Sequence, residues 1–140
     1  MRRVLKPGGR IFVQENDVSL QRYDPPAPLV EKMWVLVAQL QKTLGGNALI
    51  GSNLHGLLTG AGFKDVALSF GPEVYSSGTR GFKTWIENQI QIFRGCADDL
   101  AKHQLATPQD TESVVSELIA FLDRPHAASW FAWNRASSRK

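Results

Sequence analysis

The chain has 140 residues, 43% of them hydrophobic and 21% charged, which gives it the size of one domain with an ordinary globular core and no bias toward disorder. Its apolar stretches are broken by Glu, Gln, Lys and Gly well before membrane-spanning length, and Arg2-Arg3 leads into Lys-Pro-Gly-Gly rather than an apolar leader, so no membrane span or secretory signal is read and a cytoplasmic location is expected. The net charge of +3 collects near the two ends, in Arg2, Arg3 and Arg10 and in Arg135, Arg139 and Lys140, with no basic run interleaved with aromatics, so nucleic acid is not an expected partner, and the single cysteine, Cys96, excludes an internal disulfide.

In chain order, a helix is expected to end near Leu5, because Pro7 cannot continue it and Gly8-Gly9 supplies turn geometry. Ile11-Phe12-Val13 follows as a short apolar run bounded by Gly9 and by Glu15-Asn16-Asp17, the pattern of a strand buried on both faces. Asn16 to Pro28 is polar and ends in Asp24-Pro25-Pro26-Ala27-Pro28, a stiff connection that excludes regular helix and sheet. Leu29, Val30, Met33, Trp34, Val37, Leu40 and Leu44 recur at helical spacing, and Gly45-Gly46 ends that helix. A short helix over 52–61 takes Ser52 as N-cap, buries Leu54, Leu57, Leu58 and Ala61, and stops at Gly62.

Lys64 to Phe70 alternates as a strand with Val66, Leu68 and Phe70 on one side, and 71–81 reads as a loop. Phe82, Trp85, Ile86, Ile90 and Phe93 share a helical face, with a bend or end at Gly95-Cys96. Thr107-Pro108-Gln109-Asp110 opens the last helix as an N-cap, a proline at the first helical position and a capping-box acid. Val114, Val115, Leu118, Ile119 and Leu122 form its core stripe, and Arg124-Pro125 stops it. Ser129 to Arg135 reads as a final strand with a frayed polar tail.

Two of these motifs carry a family likeness. Met-Arg-Arg-Val-Leu-Lys-Pro-Gly-Gly followed by a strand with an acidic end, and a helix closing in Ala61-Gly62-Phe63 that feeds the next strand, resemble strands five and six of class I S-adenosylmethionine-dependent methyltransferases. The resemblance implies an α/β fold, here the C-terminal portion of a Rossmann-like methyltransferase sheet: strands five to seven, the last antiparallel, with a helical pair inserted over 71–128 and the final strand over 129–136. It further implies methyl transfer to a small-molecule acceptor by a complete domain. The Gly-x-Gly-x-Gly turn and ribose-binding acid that hold S-adenosylmethionine in that family have no counterpart in these residues, so the chain is expected not to bind the methyl donor alone and to be inactive alone. Pairing with an N-terminal half, or self-association through an exposed sheet edge, is the expected partnership, and a non-catalytic interaction module is the alternative.

Ligands in open α/β sheets bind beyond the carboxyl ends of the parallel strands, which puts Glu15, Asn16 and Asp17 at the rim of a substrate pocket. Glu15 or Asp17 is positioned there to accept a proton from, or orient, a nucleophilic acceptor. Tyr23 and Trp34 complete the expected substrate-binding set, Trp34 also having a place on the apolar helix face. His55, His103 and His126 lack a second ligand at metal-binding spacing, so no metal is expected.

Overall fold

The computed structural model describes residues 1–140 and contains strands β1 (Arg10–Glu15) and β2 (Arg22–Asp24), helices α1 (Pro28–Thr43) and α2 (Leu54–Gly60), strand β3 (Lys64–Ser76), helices α3 (Arg80–Lys102) and α4 (Pro108–Leu122), and strand β4 (Ala128–Arg139). The class is α/β, with one four-stranded sheet whose pairings are all antiparallel. No helix is long and apolar enough to cross a membrane.

β4 organises the sheet. On one side it pairs first with β2 and then, further along, with β1; on the other it pairs with β3 along its whole length, from Ser76 opposite Ala128 to Lys64 opposite Arg139. β1 and β3 therefore run parallel to each other with β4 antiparallel between them. The register is unbroken from Ala67 to Ser76, so side chains of β4 alternate strictly between the two faces over Ala128–Ser137. Phe131 and Ala136, both buried, consequently point to opposite sides.

Helices cover these two faces at opposite ends. The α1, α3 and α4 bundle forms the larger core, with Val30, Trp34, Phe82, Phe93, Leu118 and Phe121 at its centre and Tyr23 of β2 joining it. Across the sheet, α2 supplies Leu54 and Leu58 to a small cluster with Ile11, Phe63 and Ala136. The two uncovered quarters of the sheet carry exposed apolar side chains: Phe12 on one face, and Leu68, Phe70, Val74 and Trp130 on the other.

Local chemistry explains several elements. The side chain of Thr107 accepts from Asp110 N, and Asp110 Oδ2 accepts from Thr107 N at 2.8 Å, the reciprocal capping box the sequence predicts. α1 begins with Pro28, and its N-cap, Ala27, has no capping side chain; Glu117 of α4 instead accepts from Val30 N at 3.0 Å, satisfying one free donor of that terminus from another helix. Gly8 and Gly62 adopt positive φ where turns require it.

The structure corrects several expectations from sequence. The segment before Lys-Pro-Gly-Gly is a 3-10 turn at Arg2–Val4 rather than the end of an α-helix. Asn16 to Pro28 contains a 3-10 turn at Val18–Leu20 and the strand β2, because Asp17 caps the turn and the prolines begin only after Asp24. β1 is not buried on both faces, since Phe12 is 71% exposed and its ring carries the Arg10 guanidinium at 5.2 Å. Ser52 lies in a 3-10 turn ahead of α2 and does not cap it, its hydroxyl being drawn to Asp17; Leu57 and Ala61 are exposed. Ile119 is also exposed.

β3 runs six residues beyond Phe70. Gly71 and Pro72 do not end it, because β3 has a strand on one side only, where a residue without an N–H is tolerated. α3 passes straight through Gly95-Cys96 to Lys102, held by Phe93 and Leu100, both fully buried. The tail is not frayed: Ala136 to Arg139 pairs with β1, and buried Ser138 donates its hydroxyl to Lys64 O.

Candidate substrate cavity

The carboxyl end of β1 is fixed by a close approach. Gly51 N donates to Asn16 O at 3.0 Å, and a Cβ added to Gly51 would stand 2.6 Å from Asn134 Nδ2, 2.8 Å from Asn16 O and 2.9 Å from Glu15 O. Asp17 leaves this point buried, at 3% exposure, with both carboxylate oxygens engaged. Oδ1 accepts from Ser19 N at 3.0 Å and from Ser19 Oγ at 2.6 Å, and Oδ2 accepts from Ser52 Oγ. Asp17 thereby ties the turn after β1 to the turn before α2. Glu15 is half-buried opposite Asn134 in the sheet, and Asn16 Oδ1 is buried without a hydrogen-bond partner.

The turn that Asp17 caps forms one wall of a cavity of about 380 Å³, and α1 forms the other. Ser19, Gln21, Arg22 and Glu31 are its polar lining; Val18, Trp34, Val35, Ala38 and Leu49 are its apolar lining. Arg22 Nη1 donates to Ser19 O at 2.7 Å and to Gln21 O at 2.6 Å, which locks the turn against β2. Gln21 is 5% exposed, and neither its Nε2 nor its Oε1 has a hydrogen-bond partner.

Of the residues expected at a substrate site, Trp34 lines this cavity. Tyr23 stands behind it, buried, with its hydroxyl accepting from Trp34 Nε1 at 2.9 Å and donating to Gln89 Oε1. Burial, opposed in part by the Trp34 hydrogen bond, pushes the Tyr23 phenol well above its ordinary range. Glu15, Asn16 and Asp17 adjoin the cavity through the chain but do not line it. The sequence reading misses Gln21, Glu31, Val35 and Leu49. A signal for part of this wall is present in α1, where Glu31, Trp34, Val35 and Ala38 stand at i, i+3, i+4 and i+7 along one face.

A second polar and aromatic cluster lies on β3 and β4. Trp85 of α3 is stacked between Tyr75 and Phe131, with ring centroids at 5.1 and 4.7 Å, and Glu73 accepts from Trp133 Nε1 at 2.6 Å and from the Tyr75 hydroxyl. Burial first, and then the hydrogen bond to Glu73, pushes the Tyr75 phenol up to about 12. No group of three or more His, Cys, Asp or Glu side chains is placed to hold a metal ion. Comparison of the chain with protein-family models and with curated proteins returns no match.

Proposed function

We propose that this chain is the substrate-side half of a class I S-adenosylmethionine-dependent methyltransferase and works as part of a complete domain. The observation that carries the reading is the order β1, β4, β3, with the last strand antiparallel between two parallel ones, the first opened by Lys6-Pro7-Gly8-Gly9 and the second by Ala61-Gly62-Phe63. On this reading the chain corresponds to strands five, seven and six, with α3 and α4 as the inserted helical pair. The methyl donor is then held by strands one and two of the complete domain, and the cavity beside Trp34 receives the acceptor. β1 has β4 on one side and no strand on the other, which leaves an edge where a fourth parallel strand would add.

The rate enhancement in such a site comes mainly from holding acceptor and methyl donor in line, with a carboxylate orienting or deprotonating the nucleophile. Asp17 is committed to capping and Glu15, half-buried at the strand end, does not line the cavity, so the carboxylate in position for that role is Glu31, the one acid in the lining. The exposed apolar stripe of Phe70, Val74 and Trp130 favours a second reading, a non-catalytic module that works by protein contact.

Translating the DNA upstream of Met1 in all frames separates the two. The methyltransferase reading expects a strand, Gly-x-Gly-x-Gly and helix, with an acid about twenty residues on; the interaction reading expects none there or in a neighbouring gene. Calorimetric titration of the isolated chain with S-adenosylmethionine should give no binding heat, and micromolar binding would overturn the division of the site between two halves.

A further inference from the structure

The net charge of the chain is small, but the fold sorts it. Residues 1–10, 64–65 and 135–140 hold eight of the sixteen Lys and Arg and only one of the thirteen Asp and Glu, Asp65. β1 and β4 pair with Arg10 opposite Arg139, and Lys64 of β3 stands opposite Arg139 on the other side, so these segments meet at one end of the sheet. Arg2, donating to Gly62 O at 3.0 Å, and Lys140, donating to Leu5 O, complete the group. No basic run in the sequence announces it, because the pairing of the two chain ends makes it. We infer that this basic end of the sheet, with the adjoining face that exposes Phe12, binds single-stranded nucleic acid. The inference goes beyond the methyl-transfer reading and does not rest on it: it describes the chain by itself, and a covering half of a domain and a nucleic-acid strand are alternatives at Phe12.

Register fixes which side chains share that face. Arg10, Phe12 and Gln14 of β1 stand opposite Arg139, Ser137 and Arg135 of β4, on the side of the sheet away from α2. The three arginines are exposed and none is in an ion pair, the single one in the chain being Lys83 with Glu87 on α3. Asp65, the one acid in the hollow that Arg10 and Arg139 line, is likewise unpaired. Like charges directly opposed destabilise a pair of strands, and a bound anion offsets that cost. Arg135 and Arg139 are about 13 Å apart along β4, which spreads the charge along a line, as a polyanion needs, rather than gathering it on one ion.

Arg135 is held in place on the face. Its Nε donates to Gln14 Oε1 at 2.6 Å, and its guanidinium lies across the bare backbone of Gly71, where there is no room for a Cβ. Nη1 and Nη2 are left for a pair of phosphate oxygens. Ser69 and Ser137 line the same hollow as Arg135 and Phe12, adding hydroxyl donors and no carboxylate. Phe12 decides which polyanion fits. It is 71% exposed among the arginines, with the Arg10 guanidinium 5.2 Å from its ring centroid. An exposed ring and a guanidinium plane offer flat surfaces to an unstacked base, which a single strand presents, a duplex keeps inside its stack and an anionic membrane lacks.

The test is fluorescence anisotropy of the full chain with labelled oligothymidylate and oligouridylate of about 12 nucleotides, which separate DNA from RNA as the source, and with an abasic strand of equal length. At least one base-bearing strand should bind saturably and at least about five-fold more tightly than the abasic one. With three arginine contacts at about 0.7 each, log affinity should fall against log salt with a slope of about −2. Arg139→Gln should make that slope shallower by about 0.7. Arg94→Gln, which removes the same charge from an exposed position on α3, should leave it unchanged. Phe12→Ser should weaken the base-bearing strand at least about five-fold and spare the abasic one, and Phe12→Trp should retain binding.

No saturable binding, equal affinity for the abasic strand or for a duplex of the same length, or a loss from Arg94→Gln as large as that from Arg139→Gln would each overturn the assignment. So would capture of the chain by phosphatidylglycerol vesicles that the oligonucleotides do not prevent, which would make this end of the sheet a membrane contact. The abasic comparison is made on the wild-type chain and decides the matter even where a variant does not fold. No methyl donor enters these titrations, so their failure leaves the methyl-transfer reading standing, and the absence of a methyl-donor half beside this chain leaves the nucleic-acid assignment standing.

Discussion

The indole Nε1 of Trp34 donates to the hydroxyl of Tyr23 at 2.9 Å, and that hydroxyl in turn donates to Gln89 Oε1, so one buried oxygen joins the cavity wall on α1 to β2 and to the middle of α3. Each member is less than a tenth exposed. Tyr23→Phe leaves a buried indole N–H and a buried amide oxygen without partners, and it should lower stability by about 1–3 kcal/mol in urea unfolding. Adding Gln89→Leu removes one orphan, so the double variant should lose less than the sum of the singles. Simple additivity would show that the three side chains do not act as one network.

Gly51 is needed for the space it leaves rather than for its backbone freedom. A methyl group there meets two main-chain oxygens, Asn16 O and Glu15 O, at under 3 Å, and backbone in a paired strand end cannot move aside cheaply. Gly51→Ala should therefore cost about 1–3 kcal/mol, with amide shifts concentrated at Glu15, Asn16 and Asp17. At Gly56, where nothing stands within 4 Å of an added Cβ, the same substitution in the helix interior should be neutral or stabilising. Equal effects at the two glycines would contradict the close approach.

The chain has two tyrosines, and both hold their phenol protons more tightly in the folded state, in each case chiefly through burial. An unfolded tyrosine titrates near pH 10, so the folded state keeps protons that the unfolded chain releases. Stability from this source is complete below about pH 10 and is lost as pH rises toward about 12, where Tyr75 ionises in the folded protein. Absorbance at 295 nm should show little phenolate at pH 10, followed by a Tyr75 step. In Tyr75→Phe, whose only phenol is Tyr23, ionisation should coincide with unfolding. A half-complete absorbance change at pH 10 in folded protein would remove the basis of this expectation.

The helices are legible in the sequence because their burial repeats every three to four residues, and Thr107, Pro108 and Asp110 announce a start whose geometry is entirely local. Strand lengths are not legible in the same way. Gly71-Pro72 is a turn signal in isolation, and Ser137-Ser138-Arg139 has the composition of a solvated tail, yet each lies in a strand because β4 pairs along its full length. That pairing is between residues as much as 129 positions apart, Arg10 and Arg139, which no local pattern reports. For the cavity, Trp34 stands out as a large aromatic on an amphipathic helix. Gln21 does not, because a glutamine in a polar segment reads as solvated until the fold buries it and leaves its amide without partners.

Phe12 and Phe93 put the sheet arrangement to a direct test, since sequence pattern assigns both to a core. Phe93 is fully buried against Trp34, at 4.8 Å between ring centroids, and Phe93→Ala should cost about 3–5 kcal/mol. Phe12 is mostly exposed under the Arg10 guanidinium, so Phe12→Ser in the isolated chain should cost only about 1 kcal/mol, for a cation–π contact and some strand preference. Phe12 stands on the uncovered quarter of the sheet beside the unpaired edge of β1, the surface that the methyl-transfer reading assigns to the other half of the domain. If that half covers it, the same substitution made in the complete domain should become a core deletion, costing several kcal/mol more than in the isolated chain. An unchanged, small cost in both settings would mean that nothing packs on this face, and the run Ile11-Phe12-Val13 would then owe its apolar middle residue to strand preference alone.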